Sequence, residues 1–153
     1  MLLEKASRRL GIDLGQILKD KANVEIIQAE SIELFLMNGK PVLAQTEEIL
    51  YPTLTFKEFI DRAPRATVDM GAVPYVCKGA NIMAPGIKGF SGEFRKGDLI
   101  IVIDEKHGKP IALGETLYDM EQAKNIKQGI VIKNIHYVGD RTWNKLKQLT
   151  TAT

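Results

Sequence analysis

The residues best placed to do chemistry lie in a nineteen-residue run, DMGAVPYVCKGANIMAPGI, from Asp69 to Ile87. It sets glycines and alanines beside one lysine and one asparagine. Small residues leave backbone N–H groups open to a close-lying ligand. Lys78 adds a phosphate contact and Asn81 an amide. Such a set suits a phosphate or a nucleotide end, and it contains neither a nucleophile paired with a base nor a metal cage. Asp69 can cap the N–H groups of the turn that follows it, and a structural cap is a simpler reading of it than a ligand. Gly71 lets another backbone or a ligand come close. Pro74, at the fifth position of a helix begun after Asp69, should kink or shorten that helix. Gly79 suits the left-handed residue that ends a helix. The functional reading adds Lys78 and the Gly79–Ala80 backbone as a surface of close approach. Ala84-Pro85-Gly86-Ile87 reads as a turn with so little side-chain bulk that a base or sugar could lie against it.

Other reactive side chains are few. Alternation along a strand over Ile130–Val138 puts Lys133, Ile135 and Tyr137 on one face, and Asn134 and His136 on the other. His136 has no evident acidic partner nearby in sequence and reads as a structural histidine. Tyr137 or Trp143 could stack on a base, and the single tryptophan reads equally as core. The single cysteine, Cys77, excludes an internal disulfide and a cysteine metal site, and it reads as an inert packed thiol. Two histidines, His107 and His136, do not make a zinc site. Hydrolase, zincin, Walker and dinucleotide-binding motifs are all absent. No metal, no cofactor and no catalysis are expected.

These residues need elements to hold them. Residues 2–10 are spaced for one helical face, with Gly11 as a stop, and Asp13 can cap a short helix over Leu14–Lys19. Val24–Gln28 reads as a strand. Ser31–Met37 and Val42–Gln45 flank Asn38-Gly39, a strong hairpin signal. A turn over Tyr51–Leu54 and a short helix over Phe56–Ile60 lead to a break at Pro64. Beyond it, LIIVID (99–104) is apolar enough for a buried strand, His107-Gly108-Lys109 turns, and Pro110–Glu115 returns. Asp119 and Gln122 resemble a capping box for a helix ending near Asn125. Short, closely spaced strands with one or two small helices predict a compact barrel.

The chain has 153 residues, 44% hydrophobic and 26% charged, with net charge +2. That charge is uneven. Residues 1–61 carry seven basic and ten acidic side chains, and residues 62–153 carry fourteen and nine. A basic second half points to a polyanion, or else is a solvated lysine face. No apolar stretch nears the ~20 residues that span a bilayer, and the start, MLLEKASRRL, is not a secretory signal. A soluble cytoplasmic protein is expected, with no membrane partner.

Several strings together resemble a known family. Val68-Asp69-Met70-Gly71-Ala72, Lys78-Gly79-Ala80-Asn81-Ile82-Met83, Ala84-Pro85-Gly86-Ile87, Lys96-Gly97-Asp98 and Ile111-Ala112-Leu113-Gly114 look like a PUA domain. That domain is named from pseudouridine synthases and archaeosine transglycosylases. The likeness runs over residues 67–138. Ile32–Leu36 with Asn38-Gly39, Tyr51-Pro52-Thr53-Leu54, and Asn134-Ile135-His136-Tyr137 before Asp140 and Trp143 extend it to the malignant T-cell amplified sequence protein family. Ligatin carries a similar unit. The resemblance suggests an archaeal-type, stand-alone member. Pro74 and the first ~20 residues depart from the pattern.

The resemblance implies an α+β chain. An N-terminal α/β pre-PUA domain over 1–65 would precede a mostly-β PUA pseudobarrel with two short helices over 66–153. It also implies binding of structured RNA, with work on tRNA or small-subunit rRNA in translation initiation or ribosome recycling. Carried onto this chain, the RNA surface is Gly71, Ala72, Lys78, Gly79, Ala80, Asn81, Met83, Pro85, Gly86, Lys133, His136 and Tyr137. Two other functions stay open. One is a targeting module for a tRNA- or rRNA-modifying enzyme. The other is a protein adaptor docking through the acidic N-terminal domain around Glu25, Glu30, Glu33, Glu47 and Glu48.

Overall fold

The structure, a computed structural model, describes residues 24–47 and 49–151. The helices expected over 2–10 and Leu14–Lys19, with Gly11 and Asp13, lie outside these residues, as does Glu48. The chain divides into two compact units, Met1–Phe59 with Arg141–Thr153, and Ile60–Asp140.

The first unit is built on an antiparallel sheet of β1 (Val24–Ala29), β2 (Ile32–Met37), β3 (Lys40–Gln45) and β4 (Leu50–Pro52), in that order. Asn38 and Gly39 sit at φ 51° and 80°, and Met37 pairs with Lys40 across the turn. Two left-handed residues in a row are what a tight hairpin needs, and Asn and Gly tolerate them best. Helix α1 (Lys57–Arg62) runs across the division between units.

The second unit contains β5 (Arg65–Val68), α2 (Val73–Val76), β6 (Ile82–Met83), β7 (Ile87–Ser91), β8 (Leu99–Asp104), β9 (Pro110–Thr116), α3 (Met120–Ala123) and β10 (Ile130–Tyr137). Its strands form one sheet in the order β6-β10-β9-β8-β5-β7, antiparallel except for β5 beside β8. The two edges, β6 and β7, are joined by the short 3-10 turn Ala84–Gly86. A flat sheet of this width would hold its edges about 24 Å apart. Four residue steps from Met83 to Ile87 span at most about 14 Å. The sheet must therefore curl until its edges approach, which makes the pseudobarrel. Its interior is filled by Val68, Val76, Ile82, Ile100, Val102 and Ile132, all buried. LIIVID is a central strand, paired in parallel with β5 on one edge and antiparallel with β9 on the other, and it is buried on both faces.

Two carboxylates, buried Asp104 and exposed Asp119, brace the loops. Asp104 accepts hydrogen bonds from the N–H groups of His107 and Lys109, which holds the predicted turn. The His107 bond lowers the Asp104 pKa most, against a smaller upward push from burial. A lowered carboxylate pKa adds stability above the ordinary Asp value and loses it as pH falls through the lowered one. The stability gap between wild type and Asp104→Asn should thus be full above about pH 4 and shrink on acidification. Denaturant melts across that range check it, and a gap independent of pH would refute the role. Asp119 differs from expectation. It stands at the start of α3, but its carboxylate makes no cap there and instead accepts the Lys96 N–H at 2.8 Å.

The C-terminal helix α4 (Arg141–Thr151) belongs with the first unit, whereas the expected second domain ran on to residue 153. Specific bonds explain the return. Thr142 Oγ1 lies 2.6 Å from Tyr51 Oη, Arg141 donates to Ser31 Oγ, and Leu146 is buried. Trp143 is half-buried on this helix with Lys147 Nζ 6.0 Å from its ring centre.

Candidate nucleic-acid interface

The site is assembled from the segment between β5 and β7. As the chain leaves β5, the Asp69 N–H donates to the Gly86 carbonyl at 2.9 Å. Its Oδ1 accepts the Ala72 N–H at 2.8 Å. This caps the turn over residues 70–72, so α2 starts only at Val73. Pro74 then falls in the first helical turn, where an N–H would have no helical acceptor. The expected kink does not arise because the helix begins later than the sequence suggested. Four residues suffice to drive Val76 into the core and leave Tyr75 68% exposed.

Past the helix, Gly79 takes φ +100°. A Cβ there would stand 3.1 Å from Tyr137 Oη, so the Tyr137 ring is laid against the Gly79 backbone. Asn134 on β10 ties this loop down. Its Nδ2 donates to the carbonyls of Val76 (3.1 Å) and Ala80 (2.9 Å), and its N–H donates to Asn81 Oδ1 at 2.9 Å. Strand β6 then pairs with β10, and the Ala84–Gly86 turn brings Gly86 so close that a Cβ would lie 3.2 Å from Ala72 Cβ.

The result is a groove of about 400 Å³. Seven of the predicted residues line it together: Gly71, Ala72, Ala80, Asn81, Met83, Pro85 and Gly86. Asp69, Tyr75, Val76 and Ile82 complete the lining. Lys78 is exposed on the loop after α2, beside Gly79, and Lys133 is exposed on β10; neither lines the groove.

Two expectations need correction. His136 is 0% exposed, so it offers no surface to RNA. It also has the acidic partner that the sequence reading lacked, with Nδ1 2.8 Å from Asp140 Oδ2. Gly139, at φ +103°, turns the chain and returns Asp140 to the strand end. A register shift between Asn134 and His136 breaks the simple alternation along β10. Tyr137 is half-buried under Gly79, so the exposed ring of this region is Tyr75, which the sequence pattern does not single out. The usable signal was its place next to Val76: on so short a helix one of the two neighbours must face out. Burial raises the Cys77 pKa, in keeping with a packed thiol.

The comparisons bear on the fold and the family. Residues 64–138 match the PUA domain, and residues 2–57 match a domain of unknown function, DUF1947. A solved PUA domain protein of Thermoplasma acidophilum is 29% identical, with a TM-score of 0.72 over 95% of this chain and 91% of that one. The family match and the fold thus define a PUA-domain protein with an N-terminal region preceding that domain. An uncharacterized protein of Methanocaldococcus jannaschii is 35% identical over 86% of this chain and 82% of its own length. Translation machinery-associated protein 20 of Saccharomyces cerevisiae is 30% identical, with 86% and 77% covered. The chain belongs to the family of that protein and of malignant T-cell-amplified sequence 1, whose Rattus norvegicus member is 31% identical over 86% of this chain and 75% of its own length. Among the described residues, no helix is long and apolar enough to cross a membrane.

Proposed function

We propose that this protein binds RNA without catalysis, and that the groove beside α2 takes the unpaired end of a tRNA acceptor arm or of an rRNA helix. The work it serves is translation on the small ribosomal subunit, in the cytoplasm. The observation that carries the reading is the groove itself: an exposed aromatic, Tyr75, beside a wall of small residues, with Lys78 and Lys133 exposed nearby. Unpaired bases stack on such rings, and duplex RNA is read by shape and backbone. The relatives named for the translation machinery support the pathway. In this reading the second unit binds RNA and the first unit docks a protein partner.

The test is binding to deacylated tRNA, to the same tRNA without its 3′ end, and to isolated small subunits, at two salt concentrations. Preference for the intact tRNA or the subunit, weakening with salt, is the expected result. Lys78→Ala and Lys133→Ala should each flatten the log–log salt slope by about 1, uniformly across RNA sequences. An unchanged slope removes that lysine from the interface. Absence of binding to all three RNAs overturns the reading in favour of a protein adaptor. A stable complex with an RNA-modifying enzyme in place of subunits would favour a targeting module.

A further inference from the structure

The groove's polar atoms are few, and their orientation is settled by main-chain bonds. The Asn134 N–H is a donor, so the Asn81 atom 2.9 Å from it must be the acceptor, Oδ1. Asn134 cannot yield, because its own Nδ2 is held by two carbonyls. The Asn81 NH2 therefore points away from that bond. It is accessible and has no hydrogen-bond partner among the described residues. Asp69 is similarly half-committed. Oδ1 is taken by the Ala72 N–H, while Oδ2 has no partner among the described residues. None of the lining residues is lysine or arginine, so the only formal charge in the lining is the Asp69 carboxylate.

A ligand that fits must both donate and accept, and must not bring negative charge into the groove. Ribose hydroxyls do both: one can donate to Asp69 and another can accept from Asn81. A terminal phosphate brings between one and two negative charges and no cation to meet them. Resting on the groove reading above, we propose that Asp69 and Asn81 select RNA ending in free ribose hydroxyls over RNA ending in a 3′-phosphate. The phosphates further up the strand then lie outside the groove, where Lys78 and Lys133 are exposed.

The probe is one RNA hairpin with a single-stranded 3′ overhang, prepared with a 3′-hydroxyl or a 3′-phosphate and titrated against the full chain. Wild type should prefer the hydroxyl end by about tenfold. Asp69→Asn keeps an Oδ1 to accept the Ala72 N–H but removes the charge, so it should bring the ratio close to 1 by gaining affinity for the phosphate end. Asn81→Asp keeps the oxygen that Asn134 needs, replaces the donor by a second anion, and should weaken the hydroxyl-ended RNA. Equal binding of both ends by wild type, or an unchanged ratio in Asp69→Asn, overturns the proposal. If wild type binds both ends equally and Tyr75→Ala loses both, the groove reading stands and the end selection alone falls. If wild type binds neither RNA, the groove reading itself is wrong.

Discussion

Replacing Tyr75 by alanine should weaken RNA binding by roughly tenfold to a hundredfold while leaving the fold unchanged. Stacking of one base on an aromatic ring contributes about 1–3 kcal/mol, and that range sets the size of the loss. The ring is 68% exposed and belongs to no buried cluster, so its removal leaves no cavity. Tyr75→Phe keeps the stacking face and should bind nearly as wild type. Titration of the three proteins against deacylated tRNA, with a thermal melt beside each, checks the expectation. Equal affinities in all three would mean that no base stacks there, and the groove would lose its main attraction for RNA.

The largest expected stability effect is at Gly114, where alanine should cost about 3 kcal/mol. Gly114 lies on β9 opposite Asn134 of β10. A Cβ at this glycine would fall 2.2 Å from Ile132 Cγ2 and 2.9 Å from the Lys133 carbonyl oxygen. Ile132 is fully buried and branched at Cβ, so it has nowhere to swing. The two strands would have to part. The melting temperature should fall by about 10 °C, measured by circular dichroism or calorimetry. RNA affinity should fall with it even where the protein stays folded, because β10 carries the Asn134 that holds the 76–81 loop. A variant melting with wild type would show that β10 moves aside easily.

The two effects differ in how far the sequence reveals them. Gly114 was part of a recognisable string, but nothing local says what a side chain there would strike. Its neighbours come from a strand eighteen residues away, aligned by sheet register. Tyr75 is the reverse case. The residues around it stand out in the sequence, but the ring does not, because a four-residue helix has too short a pattern to show its outer face. Pro74 misled for the same reason: the cap at Asp69 closes a separate turn, and the helix begins after it.

Legibility follows the range of the forces involved. The Asn38-Gly39 hairpin, the LIIVID strand, and the turn at 107–109 could be read directly, because each depends on backbone preferences within a few residues. So could the small-residue run at 69–87 and its likeness to PUA domains, which rests on residue order alone. Pairings between distant segments could not. The parallel match of β5 to β8, the diversion of Asp119 to Lys96 and the register shift between β9 and β10 all depend on strands meeting across the barrel. The return of α4 to the first unit through Tyr51 and Thr142 depends on contacts ninety-one residues apart. Residue types in order thus marked out small, lysine-flanked segments of the PUA kind as the candidate binding surface. Folding decided which of them share one groove, that Tyr75 rather than Tyr137 is its open ring, and that His136 is core. Hydrogen bonds and steric contacts act over a few ångströms, so side chains far apart in sequence acquire a joint role only when strand register sets that distance.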